Sequence, residues 1–259
     1  MADVEIVAVG RELVTGIVAD TNSAWLAAQL TALGATVSRM VVVDDDPAAI
    51  AHEIRAAHGL VITTGGLGPT LDDRTLAGIA AARGTRLVEH PDAVAFVARR
   101  YAELAAAGLV ADAALTPPRR KMARLPEGAE LVDNPVGTAP GVFVDGIVAL
   151  PGVPDEMRAV FAAALPRIRA YLGPETYVAE RELRSGSGDE SVLAAALEHV
   201  TEEFPGVHVK SFATTFAPDC DLRIRITARA ASREAAEALV ARAAARLEAE
   251  LACVRSRQA

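Results

Sequence analysis

Cysteine is nearly absent from the chain, and the two that occur, Cys220 and Cys253, lie far apart in the sequence. No CxxC or Cys/His pattern surrounds them, so the sequence indicates neither a disulfide framework nor a zinc site. No apolar run approaches the roughly 18 residues that span a bilayer, and the N-terminus MADVEIVAVG has acids where a signal peptide has a basic region. These absences predict a protein of the reducing cytoplasm that has no membrane partner.

An excess of positive charge is also missing. The chain carries 26 basic and 34 acidic residues, which gives a formal net charge of −8. No stretch of Lys and Arg is interleaved with aromatic residues, so a nucleic acid is not expected as a partner. At 259 residues and 51% hydrophobic composition, the chain is long enough for one large domain, or for a medium and a small one.

Short apolar runs alternate with helical patterns through the first two-thirds of the sequence. VEIVAVG, ATVSRMVVVDD and LVITTGG read as strands, and the helix between the last two begins at Asp46 as N-cap with Pro47 in its first position. Such a βαβαβ run predicts a three-layer α/β/α domain with a mostly parallel sheet. Its ligand site is then expected at the carboxyl ends of the strands. GVFVDGIVALPG predicts an added hairpin that turns at Asp145 and Gly146.

The pattern changes after the helical stretch 154–173. The remainder reads as strand, Gly/Ser loop, helix, two strands and a long helix, with alternating strands such as DLRIRITARA. We therefore place a domain boundary between residues 1–173 and residues 174–259, and expect the second domain to be a small βαββα unit.

The stretch TTGGLGPTLDD, residues 63–73, directly follows the third strand. Its glycines allow successive backbone N–H groups to converge on an anion, and the next helix would add its positive N-terminal end. Neither GxxxxGK[ST] nor GxGxxG is present. Asp72 and Asp73 would be compatible with a bound phosphate only through a cation, which indicates Mg²⁺ or a similar divalent ion. Alternatively the glycines only form the turn and one aspartate, Asp72 more readily than Asp73, caps the following helix.

Three further segments concentrate polar and glycine residues: GRELVTGIVADTN (10–22), DNPVGTAPG (133–141) and LPGVPDEM (150–157). In the first, Glu12 follows a strand end and Asp20 precedes a helix. Helix capping by Asp20 or Thr21 and solvation of Glu12 are the simpler explanation. The other two are also good turn sequences, and dipole stabilisation alone would explain Asp155 and Glu156.

Together and in this order, the four segments resemble the molybdopterin-binding domain of MoaB and Mog proteins, as found in the competence/damage-inducible CinA family. The tail, with SGSGDES, is similar to the small second domain of that family. Family members typically have Thr or Asn where this sequence has Arg11, so Arg11 would add a phosphate contact or alter substrate choice. Many CinA proteins continue into a nicotinamide mononucleotide deamidase domain, whereas this sequence ends at Ala259, and deamidase activity is not expected. The family also implies a homo-oligomer, a dimer or a trimer.

The resemblance implies an enzyme that hydrolyses a nucleoside diphosphate derivative, in the manner of an ADP-ribose pyrophosphatase, with Mg²⁺, Mn²⁺ or Co²⁺. The alternatives are a molybdopterin-binding or adenylylating protein of molybdenum-cofactor metabolism, and a nucleotide- or pterin-binding module without catalysis. The catalytic candidates are Asp73, Asp72 and Glu12, of which Asp73 and Asp72 would hold the metal. The candidate substrate contacts are Gly10, Arg11, Asp20, Asn22, Thr63, Thr64, Gly65, Gly66, Gly68, Thr75, Gly137, Thr138, Pro151 and Gly152.

Overall fold

A computed structural model of the chain describes residues 3–174, 176–212 and 221–258. The chain divides into two compact units. The first consists of residues 1–31 and 35–173, and the second of residues 32–34 and 174–259. Cys220 lies outside the described residues. No helix in the described ranges is both long enough and apolar enough to cross a membrane.

The first unit begins with the expected βαβαβ run. Its elements are β1 (Asp3–Val9), α1 (Arg11–Val14), α2 (Thr21–Ala32), β2 (Thr36–Val43), α3 (Pro47–Ala56) and β3 (Leu60–Thr64). Asp46 caps α3 as predicted, because its carboxylate accepts hydrogen bonds from the N–H groups of Ala48 and Ala49. The extra short helix α1 occupies the loop after β1.

The rest of the first unit closes the sheet and covers it. It consists of α4 (Thr75–Ala82), β4 (Leu87–Glu89), α5 (Pro91–Ala106), α6 (Pro117–Lys121), β5 (Arg124–Pro126), β6 (Glu130–Val132), β7 (Gly141–Val144), β8 (Ile147–Leu150) and α7 (Pro154–Leu172). The Pro- and Arg-containing connection 115–130 contains α6 and the strand β5, which pairs with β4. That pairing joins segments far apart in the chain and has no local sequence signal.

The main sheet has six strands in the order β2-β1-β3-β8-β7-β6. The first four are parallel neighbours, and β8, β7 and β6 pair antiparallel. The β7–β8 hairpin turns at Asp145 and Gly146, which have φ values of 44° and 75°. Both residues are left-handed, as a two-residue turn with the twist of the strands requires. The α/β class with a mostly parallel sheet is confirmed.

Helices cover both faces of this sheet. On one face, Val7 and Val61 pack in one buried cluster with residues of α3, α4 and α5. The neighbouring side chains along the same strands, such as Ile6 and Ile62, point to the other face and are fully buried. There α2 and α7 meet, with the Trp25 ring edge-on to Phe161 at 5.4 Å between centroids. The carboxyl ends of β1, β3 and β8 therefore open between two helical layers.

The second unit is the expected βαββα arrangement. It contains β9 (Tyr177–Arg184), α8 (Glu190–Glu203), β10 (Val207–Phe212), β11 (Arg223–Ala230) and α9 (Arg233–Gln258). Its antiparallel sheet has the order β10-β11-β9. Alternate residues of β11, such as Ile224 and Ile226, are buried in a cluster with residues of α8 and α9. This alternation is what the sequence predicts for strands with one wet face.

Candidate functional site

A cavity of about 460 Å³ lies at the carboxyl ends of β1, β3 and β8, where the βαβαβ run predicts a ligand site. Its size is within the range of small-molecule sites in proteins. Its walls come from the loops after these three strands and from the loop after β6. The lining residues are Val9, Gly10, Glu12, Leu13, Val18, Ala19, Asp20, Thr21, Asn22, Asp45, Thr64, Gly65, Gly66, Leu67, Gly68, Pro69, Asp72, Asp73, Met122, Thr138, Ala139, Pro151, Gly152, Val153, Pro154 and Glu156.

The glycine-rich loop after β3 forms one wall. Gly65 and Gly66 have φ values of 98° and 66°, which disfavour any side chain, and a Cβ on Gly65 would lie 2.2 Å from the Val9 carbonyl oxygen. The Gly65 N–H donates to the Leu150 carbonyl across the sheet. Within the described chain, the next three N–H groups along the loop, those of Gly66, Leu67 and Gly68, have no hydrogen-bond acceptor. All three residues line the cavity, so we expect these donors to serve a bound ligand.

Asn22 joins three walls of the cavity. Its side-chain amide donates to Thr64 Oγ1 at 3.1 Å and to the Gly152 carbonyl at 2.7 Å. The Thr64 hydroxyl in turn donates to the Pro151 carbonyl at 2.9 Å. The hydroxyl hydrogen of Thr64, a candidate substrate contact, is therefore used within the protein. Asn22 and Thr64 hold the ends of α2, β3 and β8 together.

The two aspartates of the loop converge on one threonine. Thr70 Oγ1 lies in hydrogen-bonding contact with Asp72 Oδ1, and 2.6 Å from Asp73 Oδ2. The Thr70 N–H also donates to Asp73 Oδ2 at 2.8 Å. The hydrogen bond from Thr70 holds the pKa of the Asp72 carboxyl below its ordinary value. Both carboxylates line the cavity.

The prediction that Asp72 caps the next helix is wrong. Helix α4 begins at Thr75, and its N-cap residue is Arg74, whose side chain makes no capping bond. The physical reason is local competition, because the short aspartate side chains bond the backbone and hydroxyl of Thr70 two or three residues earlier. Asp20, by contrast, does cap its helix: Asp20 Oδ1 accepts a hydrogen bond from the Ser23 N–H at 2.9 Å, while its side chain also lines the cavity.

The cavity is strongly acidic. Six carboxylates and no Lys, Arg or His are found among its described lining residues, the acids being Glu12, Asp20, Asp45, Asp72, Asp73 and Glu156. Burial, together with the negative charges of Glu12, Asp44 and Asp72, raises the pKa of the Asp45 carboxyl. The N-termini of α2 and α7, which also border the cavity, offset part of this charge.

The loop after β6 is folded by Asn134, which the sequence does not single out among its turn residues. Asn134 is fully buried, and its carbonyl oxygen accepts from the N–H groups of Val136 and Gly137. Its amide donates to Glu156 Oε2 at 2.8 Å. Arg100 also binds this loop, by donating a hydrogen bond to the Gly137 carbonyl at 2.8 Å. These bonds present Thr138 to the cavity and fix the Glu156 carboxylate.

Four predicted substrate contacts lie outside the cavity lining. The Arg11 guanidinium is exposed and pairs with Asp44 at 3.3 Å. Thr63 is fully buried, and no described atom partners its hydroxyl. Thr75 is also buried and donates to the Gly65 carbonyl at 2.7 Å, so it supports the loop from behind. Gly137 lies under the Arg100 side chain.

The structure brings the other predicted residues together around the cavity. They are Gly10, Glu12, Asp20, Asn22, Thr64, Gly65, Gly66, Gly68, Asp72, Asp73, Thr138, Pro151 and Gly152.

Lys121, at the end of α6, was missed by the sequence reasoning. Its ammonium group contacts backbone carbonyls of the glycine-rich loop and its neighbours, at Gly68, Thr70 and Asp73. Burial lowers the pKa of the Lys121 ammonium from its ordinary value, and the charges of Asp73 and Asp72 act in the opposite direction. The one signal in the sequence is its rarity, since only two of the 26 basic residues are lysines.

A family model described as a probable molybdopterin binding domain matches residues 5–170. A protein of Aeropyrum pernix is 43% identical over 241 residues, which cover 90% of this chain and 87% of that protein. A CinA-like protein of Gloeobacter violaceus is 38% identical over 246 residues, which cover 92% of this chain and 55% of that protein, so the chain spans about half of that relative. The crystal structure of the protein CinA from Thermoplasma acidophilum matches with a TM-score of 0.58 and 38% identity, covering 64% of this chain and 98% of that one.

Proposed function

The chain belongs to the CinA family and contains its probable molybdopterin binding domain, and from this premise we propose that the cavity binds a phosphate-bearing pterin of the molybdopterin kind. One observation carries the proposal. The cavity combines the N–H groups of Gly66, Leu67 and Gly68, which have no partner within the described chain, with six carboxylates. A ligand that uses both sets of groups must carry both anionic oxygens and hydrogen-bond donors.

The phosphate is assigned to the glycine-rich loop. Successive backbone N–H groups that point to one concave surface bind anions without a positively charged side chain. Glycine is required in this loop, because a Cβ on Gly65 would lie 2.2 Å from the Val9 carbonyl oxygen and one on Gly66 would lie 2.3 Å from Thr75 Oγ1. The N-termini of α2 and α7, which also border the cavity, add favourable partial charge.

The heterocycle is assigned to Asp20 and Glu156, two of the six carboxylates that line the cavity. A pterin ring carries an exocyclic amino group and ring N–H groups, all donors, and ionised Asp and Glu side chains are acceptors only. Charge-assisted bonds of this type are the stronger class of hydrogen bond. Asp20 and Glu156 suit this role because Ser23 and Asn134 already fix the positions of their carboxylates.

A divalent cation fits the site if the ligand contributes to its coordination. Within the described residues, no group of three or more His, Cys, Asp or Glu side chains is arranged to hold a metal alone. Asp72 and Asp73, however, converge on Thr70 beside the glycine-rich loop. Mg²⁺ commonly takes only one or two carboxylates from a protein and completes its shell with phosphate oxygens and water. Asp73 and Asp72 would hold such an ion, and its positive charge would lower the cost of placing phosphate near six acids.

Hydrolysis of a nucleoside diphosphate derivative such as ADP-ribose is the second candidate, and the acid pair favours it. A site that only binds an anion gains nothing from two carboxylates next to that anion. A bound divalent ion would polarise the phosphorus centre and lower the pKa of a water molecule. In that reaction the loop N–H groups would stabilise charge on the phosphate oxygens, and Asp73 would position the ion.

The two candidates are separated by measuring binding and turnover on the same protein. Isothermal titration calorimetry gives the affinity for molybdopterin and for ADP-ribose, and a competition titration gives the preferred ligand. Each titration is carried out with Mg²⁺, Mn²⁺ and Co²⁺ in turn. Release of AMP from ADP-ribose is assayed under the same conditions. Tighter binding of molybdopterin without AMP release supports the first candidate. AMP release that Asp73→Asn abolishes supports the second, and binding of neither ligand with any of the metals refutes both.

A further inference from the structure

Lys121 holds the outer side of the glycine-rich loop. Its Nζ lies 2.7 Å from the Asp73 carbonyl oxygen and 3.5 Å from that of Gly68, and it also contacts the Thr70 carbonyl oxygen. An ammonium group has three hydrogens, and here three carbonyls on one loop receive them. The segment from Gly68 to Asp73 is therefore wrapped around a single positive charge.

The residue type at position 121 suits this geometry. Only two of the 26 basic residues are lysines, and the others are arginines, so lysine at this position departs from the usual basic residue of the chain. An ammonium is a compact charge that donates in three separate directions, whereas guanidinium donates within one plane. Three carbonyls that surround one point are matched by the first group and not by the second.

The carbonyls held by Lys121 belong to the same loop that carries the three N–H groups without a partner in the described chain. Carbonyl oxygens carry partial negative charge, so any that turned into the cavity would repel a phosphate. Binding to Lys121 keeps those of Gly68, Thr70 and Asp73 on the outer side. The same ammonium lies close enough to Asp72 and Asp73 to interact with both carboxylates, and it offsets part of their charge.

We propose that Lys121 is the positioning residue of the anion cradle: it holds the loop in its binding conformation without touching the phosphate. This inference rests on the proposed function, since it assumes that an anion binds at Gly66 to Gly68. It adds to that function a residue from α6, which is not in any of the four segments that the sequence analysis singles out.

The test compares Lys121→Met with Lys210→Met, which removes the exposed second lysine in β10 of the other unit. Inorganic pyrophosphate with Mg²⁺ is the probe, titrated by calorimetry. We expect Lys121→Met to weaken pyrophosphate binding by about 10- to 100-fold, the usual effect of removing a residue that orients a binding group. Lys210→Met should bind as the wild type does. Equal affinity of Lys121→Met and the wild type would overturn the inference.

Two further readouts separate positioning from general stability. Methylammonium added to Lys121→Ala should restore pyrophosphate affinity, because a small cation can enter the space left by the side chain, and Lys121→Arg should restore less than methylammonium does. Absence of rescue by methylammonium counts against the inference. In ligand-free protein, the amide resonances of Gly66 and Gly68 should shift in Lys121→Met and stay in place in Lys210→Met. This measurement decides on Lys121 even if wild-type protein binds no pyrophosphate, and the proposed function is refuted separately, by binding of neither molybdopterin nor ADP-ribose.

Discussion

Replacing Gly66 by alanine tests whether the glycine-rich loop requires glycine at this position to keep its conformation. Gly66 has a φ of 66°, and a Cβ there would lie 2.3 Å from Thr75 Oγ1. That hydroxyl donates to the buried Gly65 carbonyl at 2.7 Å. An alanine at position 66 would therefore have to adopt a left-handed conformation. Its methyl group would also push away the Thr75 hydroxyl that supports the loop.

The two costs can be separated with a matched glycine. Gly84 has nearly the same φ, 65°, but nothing lies within 4 Å of a Cβ built on it. Gly84→Ala should cost only the conformational penalty, about 1–2 kcal/mol. Gly66→Ala adds the loss of a buried hydrogen bond, about 1–3 kcal/mol, for a total of about 2–5 kcal/mol.

The free energies of unfolding are measured with urea for four variants. They are Gly66→Ala, Gly84→Ala, Thr75→Ala and the Gly66→Ala/Thr75→Ala double variant. The double variant lacks the Oγ1 atom that the new Cβ would meet at 2.3 Å. Its loss of stability should therefore be smaller than the sum of the Gly66→Ala and Thr75→Ala losses by about 1–3 kcal/mol. Strict additivity, or a Gly66→Ala loss no larger than that of Gly84→Ala, would refute the reasoning. We also expect Gly66→Ala to weaken pyrophosphate binding, whereas Gly84→Ala leaves it unchanged.

Three other substitutions have definite expected outcomes. Asp73→Asn should reduce Mg²⁺-dependent pyrophosphate binding about tenfold or more in calorimetry, since it removes one of the two converging charges. Asn22→Ala should lower the free energy of unfolding by about 1–3 kcal/mol, because two hydrogen bonds, of 2.7 and 3.1 Å, are lost. Glu5→Gln should weaken the decrease of the free energy of unfolding at acidic pH. Burial alone would raise the pKa of Glu5, but hydrogen bonds from the His58 N–H and from Arg39 outweigh it and lower the pKa below 4.5. The stability from Glu5 is thus present above pH 4.5 and is lost as the pH falls through the lowered pKa.

Each of these has its own control. Asp92→Asn, an exposed acid of α5 outside the cavity lining, should leave Mg²⁺-dependent binding unchanged, and equal effects of Asp73→Asn and Asp92→Asn would contradict the metal assignment. For Asn22, full stability of the alanine variant would show that its two bonds contribute nothing. For Glu5, the free energy of unfolding of the wild type and of Glu5→Gln is measured with urea between pH 3 and pH 7. The same pH dependence in both proteins would contradict the role of the Arg39 contact.

Local signals in the sequence were sufficient for much of the fold. The Asp46–Pro47 start of α3 and the Asp145–Gly146 turn depend on side chains and φ values at those positions alone, and both are confirmed. The β4–β5 pair was not predicted because its partners are joined only through the folded first unit. Local signals fail where the competing partner is distant in sequence.

The same distinction applies to the cavity. The glycine-rich loop was located correctly because its composition departs from that of a strand or helix. Thr64, in contrast, was a candidate substrate contact, but its hydroxyl donates to the carbonyl of Pro151, which lies 87 positions later. Lys121 was missed for the same reason, since its contact with Gly68 spans 53 positions. Residue type suggested the chemistry of the site, but tertiary hydrogen bonds decided which atoms remain free for it.

The insertion of β8 beside β3 has a consequence for the order of folding. The βαβαβ run from β1 to β3 consists of neighbouring elements, whereas the bond from Thr64 to Pro151 closes a loop of 87 residues. Closing it costs about 4 kcal/mol of chain entropy, and such long-range pairings tend to form slowly. The Gly65 N–H finds its acceptor, Leu150, only after β8 has docked. The cavity is therefore completed late in folding, and a bound ligand should act mainly by slowing the unfolding rate rather than by speeding folding.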